Sequence, residues 1–181
     1  KPKDVAEAMD RIESEAIRMS GLVESLLTLT RMDELGQLTT QKVTLESIAA
    51  PVIKDASVAN PAVNFELEDQ TKNIEVDLDA DRIKQVLTNL VANASRFAPK
   101  DSTVTVVVTR DGNNLKVSVV DHGEGIAEPL QEKVFDRFYR ADNSRNRETG
   151  GSGLGLAIAR SIINAHGGKI WAEATVGGGA T

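Results

Sequence analysis

Cysteine is missing from all 181 residues, which excludes disulfides and thiolate metal sites. Aromatic side chains are scarce, with one Trp, one Tyr and four Phe, so the grouping of Phe135, Phe138 and Tyr139 is informative. No long basic run offsets the formal net charge of -6, which argues against broad nucleic-acid binding. No apolar run approaches the ~18 residues that a membrane-spanning helix needs. The chain opens at Lys1 without Met and without a signal-peptide pattern, so the expectation is a cytosolic fragment of a longer protein. Two common phosphate signatures are missing as well. There is no G-x-x-x-x-G-K-[ST] loop, and from Gly151 the sixth position is Leu156, which leaves G-x-G-x-x-G incomplete. The segment also follows a charged loop and not a strand, against a Rossmann turn.

What is present is organised around Asp121 to Leu156. Val117 to Val120 carry strand propensity, which puts Asp121 at a strand's end, where a carboxylate can face a ligand. Gly123 and Gly125 follow, and glycine lets backbone approach a ligand closely. At the far end Gly153 and Gly155 lead into the helical run LGLAIARSIINAH. A glycine-rich loop feeding a helix N-terminus can hold phosphate, because free N–H groups and the helix dipole point at the anion. A base at one end and a phosphate tail at the other suggest a nucleotide, although a glycine-rich loop alone marks only a loop.

From Lys3 to about Leu35, Val5, Met9, Ile12, Ala16, Met19, Val23, Leu26 and Thr30 alternate spacings of four and three, a coiled-coil seam. Leu22, Leu27 and Leu29 widen the seam, which favours an oligomeric bundle over packing on the helix's own domain. Gly36 breaks the pattern. Beyond it the sequence predicts strands at 41–45, 63–67 and 74–78, with a helix over 45–58 that contains Pro51. A helix capped by Asp79 or Asp81 then runs to about Phe97, ended by Pro99. A hairpin, 104–109 with 115–120, turns around DGNN. A short helix near 129–134, the helix from Leu154 and a strand at 169–174 complete the run. The expected fold class is α+β: a two-layer sandwich, a mixed sheet covered on one face by helices and preceded by a long bundle helix.

On the helix before Pro99 stands NLVANASRF. Asn89 and Asn93 share a face, with Gln85 one turn earlier, and Val86, Leu87, Leu90 and Val91 form the opposite stripe. Amide oxygens are hard, neutral ligands suited to Mg²⁺, which keeps waters and phosphate oxygens in its shell. Arg96 can fork onto a phosphate and Phe97 can pack on a base.

Taken together these residues resemble the catalytic core of bacterial sensor histidine kinases, with the Bergerat ATP-binding fold shared with gyrase, Hsp90 and MutL. NLVANASRF looks like the N box, DHGEGI the first glycine box, FDRFYR the F box and GGSGLGLAIA the second glycine box, in the family's order. AHGGKIW continues the pattern, and RIESEAIRMSGLVESLLTLTRMD looks like the second helix of the dimerisation and phosphotransfer domain. The resemblance implies a partial dimerisation domain over 1–36 and an ATP-binding catalytic domain over 37–181, lacking the family's last strand.

By that resemblance Asn93 would ligate Mg²⁺, with Asn89 beside it near the metal and phosphates. Asp121 would accept the adenine amino hydrogen, Gly123 and Gly125 would let the loop lie against the base, and Phe97 and Ile126 would contact it. Arg96, Arg140 and Arg145 would meet phosphates, arginine standing where the N box commonly has lysine. The backbone of Ser152, Gly153, Leu154, Gly155 and Leu156 would hold the phosphate tail, Thr181 would reach the adenine region, and Ala141 to Gly151 would form an ATP lid. Gln85 would take the place where ATP hydrolases of this fold carry a Glu base, disfavouring water attack. The implied activity is phosphoryl transfer from ATP to a histidine, absent from this sequence, and then to an aspartate of a response-regulator receiver domain. The full protein would be a homodimer, and this chain the cytoplasmic portion of a membrane sensor. An ATP-driven clamp or chaperone of the same fold is the alternative; a non-enzymatic dimerisation module is a third.

Overall fold

The computed structural model describes residues 38–71, 73–140 and 153–181, together with Glu15 and Met19, which are helical and exposed. The remainder of the helix expected over 3–35, with the boundary at 36, lies outside the described residues, as does the lid segment.

Strand β1 (Gln41–Thr44) runs directly into helix α1 (Leu45–Ala59). Thr44 is extended and its hydroxyl accepts from the Ser47 N–H at 3.2 Å, while the Ser47 hydroxyl donates to the Thr44 carbonyl at 2.7 Å. The first of these bonds satisfies a first-turn N–H that has no partner inside the helix. Leu45, Ile48, Ala49 and Val52 form the buried face of α1, and Pro51 stays on the exposed side.

Strands β2 (Asn64–Asp69), β4 (Thr103–Asp111) and β5 (Asn114–Val120) form one mixed sheet in the order β2-β4-β5. β2 and β4 are parallel, from Asn64↔Thr103 to Asp69↔Val108, and β4 and β5 form an antiparallel hairpin. A parallel pair needs a crossover. Here it consists of β3 (Glu75–Leu78) and helix α2 (Ala80–Phe97). β3 pairs antiparallel with β1 as a separate two-stranded ribbon. The sheet is therefore mixed as expected but comes in two pieces, and β2 and β3, though adjacent in sequence, do not pair.

Along β4, Val104, Val106 and Val108 are buried while Thr105, Val107 and Thr109 are half-buried on the other face. The buried face meets one core with α1, with Ile83, Val86, Leu87 and Val91 of α2, and with Ile158, Ala159 and Ile162 of helix α3 (Gly155–Ala165). Three helices on one sheet face make the two-layer sandwich that the sequence predicts.

Two elements differ from expectation. The helix near 129–134 resolves into two 3-10 turns, Glu128–Leu130 and Lys133–Phe135. The strand expected at 169–174 reduces to an isolated bridge, Ala174↔Ala180, beside Glu173 and Thr181, which exchange both backbone hydrogen bonds at 2.9 Å. Alternating side chains supply propensity, but a strand also needs a ladder, and among the described residues β5 pairs with β4 alone.

The face assignment of β4 is testable. Val106→Ala is expected to cost about 2–3 kcal/mol in urea denaturation, and Val107→Ala less than about half as much. Equal losses would place both side chains in the core.

Candidate functional site

Helix α2 starts where the Asp79 carboxylate accepts the Arg82 N–H at 3.2 Å. Its inner stripe anchors it to the core and leaves Asn89 and Asn93 on the side facing α3. The Asn89 Nδ2 donates to the Gly155 carbonyl at 3.1 Å, tying the first residue of α3 to the middle of α2. Asn93, one turn on, lines a cavity of about 110 Å³. At the helix end the Arg96 guanidinium lies 5.4 Å from the Phe97 ring centroid, and Phe97 is 52% exposed.

Asp121 emerges from β5 into the same cavity and is 6% exposed. Its Oδ1 accepts from the Gly123 N–H at 2.8 Å and the Ala180 N–H at 3.2 Å, and its backbone N–H donates to the Ala180 carbonyl at 2.9 Å. Among the described residues its Oδ2 takes no hydrogen bond, while no buried side-chain oxygen or nitrogen lacks a partner. Oδ2 is therefore open to the cavity, free to accept from a ligand.

Two glycines make this packing possible. A Cβ on Gly123 would stand 2.4 Å from the Phe97 carbonyl oxygen, so the loop lies directly on the C-terminus of α2. Gly179 has φ +105, and a Cβ there would sit 2.0 Å from the Asp121 carbonyl oxygen. Gly125 packs in turn against the Gly179 backbone.

At α3, Leu154 is fully buried and occupies the cap position, and among the described residues no side chain caps the first-turn N–H groups. The Gly153 carbonyl accepts from the Phe138 N–H at 3.0 Å, joining the aromatic segment to the glycine loop. Phe135 is buried at the cavity, and Arg160 of α3 lies 5.9 Å from its ring and 3.1 Å from the Asp136 carboxylate.

Of the residues singled out from sequence, the cavity gathers Asn93, Asp121, Ile126, Leu156 and Thr181. Asn89 and Gly155 meet at its edge through their hydrogen bond. Gln85 is not brought there: it lines a separate hollow with Thr39, Gln41 and Asp79, about 12 Å along the helix from Asn93. Arg140 is exposed, while Arg145 and Ser152 lie outside the described residues. The Gly179–Ala180 corner holds Asp121 but was not among the predicted residues; the run Gly177-Gly178-Gly179 was its signal.

The geometry defines a class: an α/β sandwich with an acidic residue at a strand end, two amides on one helix and a glycine-rich helix start around one cavity. Residues 78–181, more than half of the chain, match the family model of the histidine kinase-, DNA gyrase B- and HSP90-like ATPases. The chain belongs to that family. It is 38% identical over 176 residues to the probable sensor histidine kinase TcrY of Mycobacterium tuberculosis, covering 97% of this chain and 37% of TcrY. The chain thus spans little more than a third of that relative. Full-length ShkA, solved in complex with AMPPNP, superposes with a TM-score of 0.77 at 26% identity, covering 88% of this chain and 34% of ShkA. Histidine kinase ThkA, solved in complex with the response regulator TrrA, superposes with a TM-score of 0.71 at 28% identity, covering 88% and 45%. TcrY and ThkA are named histidine kinases, which does not favour the clamp or chaperone alternative.

The corner that holds Asp121 can be probed directly. Gly179→Ala is expected to cost more than about 3 kcal/mol, because strained φ and a backbone clash combine. Gly112→Ala, also at positive φ (+59) but with nothing within 4 Å of its Cβ, should cost about 1–2 kcal/mol. Thermal denaturation yielding equal losses would remove the clash from the argument.

Proposed function

We propose that the cavity binds Mg·ATP and that this chain is the ATP-binding catalytic part of a sensor histidine kinase. The observation that carries the reading is Asp121: a buried carboxylate with one oxygen fixed by two backbone N–H groups and the other open to the cavity. A carboxylate oxygen accepts the exocyclic amino hydrogen of adenine, whereas guanine offers a carbonyl there. Ile126 supplies an apolar wall, and the start of α3 supplies N–H groups for the phosphate tail. Asn93, with Asn89, would hold Mg²⁺; the amide oxygens fit a hard cation that takes its remaining ligands from phosphate and water. Bound there, the ion would neutralise developing charge on the phosphates. Arg96 and Arg140 would add positive charge near the transferred group.

In the full-length protein an imidazole nitrogen of the dimerisation domain would attack the γ-phosphorus. The bond to the β–γ bridging oxygen breaks, ADP leaves with the electron pair, and the phosphoryl group then passes to a receiver-domain aspartate. The family resemblance supports a homodimer, with the described domain on the cytoplasmic side of a membrane-bound sensor. Among the described residues no helix is long and apolar enough to cross a membrane.

Asn93→Ala is expected to abolish Mg·ATP binding in calorimetry while the circular dichroism stays unchanged; wild-type affinity in the variant would remove Asn93 from the metal.

The site should prefer ATP over GTP by about 1–3 kcal/mol, the cost of leaving a buried polar group unpaired. Equal affinities would refute the role of Asp121. Incubation with γ-labelled ATP should leave His166 unlabelled, since both of its ring nitrogens are engaged with Ile162 and Asp79. Acid-labile label on His166 would contradict this.

A further inference from the structure

His166 lies at the C-terminal end of α3, away from the cavity, yet neither ring nitrogen is idle. Nε2 faces the Asp79 backbone N–H at 3.1 Å and Nδ1 faces the Ile162 carbonyl at 2.8 Å. An N–H pointing at Nε2 requires a lone pair there, so the proton sits on Nδ1 and is donated to Ile162. The carbonyls at this end of α3 are already closed by backbone: the Gly168 N–H reaches Ile163 and the Gly167 N–H reaches Asn164, both at 2.9 Å, with Gly167 at φ +71. Nε2 is therefore left for a tertiary contact. Its partner is equally fixed: the Asp79 carboxylate accepts from the Arg82 N–H at 3.2 Å and the Thr39 N–H at 3.1 Å, which holds the start of α2 in place.

The two helices are then joined at two points. Asp79 meets His166 at one end and Asn89 meets Gly155 at the other. The points are ten residues apart on α2 and eleven apart on α3, spans of about 15 and 16 Å at the helical rise. α2 and α3 thus run antiparallel in one axial register, with Val86, Leu87, Ile158 and Ile162 in the core they share. Sliding either helix by one residue would break at least one of these bonds. Hydrophobic packing is non-directional and tolerates such a slide better than hydrogen bonds do.

We infer that His166 is a positioning residue for the phosphate tail: by locking α3 against α2 it fixes where Gly153–Gly155 stand relative to Asn89. The inference rests on the ATP-binding reading for its consequence, but not for the register itself. The base pocket around Asp121 is held by β5 and the Gly179–Ala180 corner, and the hydrogen bonds of His166 go to neither. Loss of the clamp should therefore weaken binding in proportion to the number of phosphates.

The test compares His166→Ala with His166→Gln, whose amide oxygen can accept the Asp79 N–H. For His166→Ala the affinity for Mg·ATP should fall about tenfold and that for AMP by less than about twofold, with His166→Gln recovering most of the loss. The backbone amide resonances of Gly153 to Gly155 should shift in His166→Ala without nucleotide, although they lie about 16 Å along the helix from the substitution. Nitrogen-15 shifts of the wild-type ring should report the Nδ1–H tautomer. Equal losses for ATP and AMP, or unmoved glycine amides, would overturn the inference, and so would an Nε2–H tautomer if His166→Ala fails to fold. A wild-type chain that binds no nucleotide would instead sink the proposed function, and the amide shifts would still decide the register.

Discussion

One carboxylate oxygen ties the site together. Asp121 Oδ1, at the end of an edge strand, accepts two backbone N–H groups, one from Gly123 close by and one from Ala180, 59 positions from Asp121. Hydrogen bonds to a charged acceptor are the stronger kind, and in a buried setting an unmade one is costly. The consequence is geometric: the first glycine loop is pressed onto the end of α2, the triple-glycine corner is pressed onto the Asp121 backbone, and Oδ2 is left facing the cavity. The same group that organises the loops is thereby aimed at a ligand without any freedom left to turn away.

Helix α2 carries the complementary half. Its buried stripe of Ile83, Val86, Leu87 and Val91 anchors it in the main core, so the positions between them are rigid platforms for amides. A site built on an anchored helix loses less entropy on binding than one assembled from loops. The glycine loop contributes close backbone approach, and α3 contributes its uncapped N-terminus. On the proposed reading the division is physical: the base side would be held by a strand end, the phosphate side by the register of two helices.

Much of this was legible in the sequence because it depends on local rules. The apolar stripe of α2, the Asp79 cap, the hairpin around Gly112 and the strand-end position of Asp121 all follow from periodicity and turn chemistry within a few residues. The four motif blocks identified the family because their order and spacing together are far more specific than any glycine pair. What failed was non-local. Alternation over 169–174 could not reveal that a ladder partner was lacking, and the parallel pairing of β2 with β4 depends on a crossover that leaves no mark on either strand. Gln85 shares a helix face with Asn89 and Asn93, but the cavity is shorter than that face, so proximity in helical period did not become proximity in the site. The tertiary partner of His166, the Asp79 N–H, is a backbone group and carries no sequence signal at all.

The arrangement is consistent with the proposed transfer to another protein group. Among the described residues lining the cavity, the carboxylate of Asp121 is bound by backbone N–H groups and faces the base end, and that of Glu173 is drawn to Lys116 and Trp171 at the surface. Neither stands by Asn89 and Gly155, where the phosphates would lie. Among the described residues what stands there is the Asn89 amide and the backbone at the start of α3, groups that would orient a phosphoryl group but do not take a proton from water. Phosphoryl transfer needs little more than alignment and charge neutralisation. On the proposed reading a nucleophile delivered in line by a partner domain would be the missing ingredient, and a site that holds the base while leaving the γ-phosphate unattacked could wait for it.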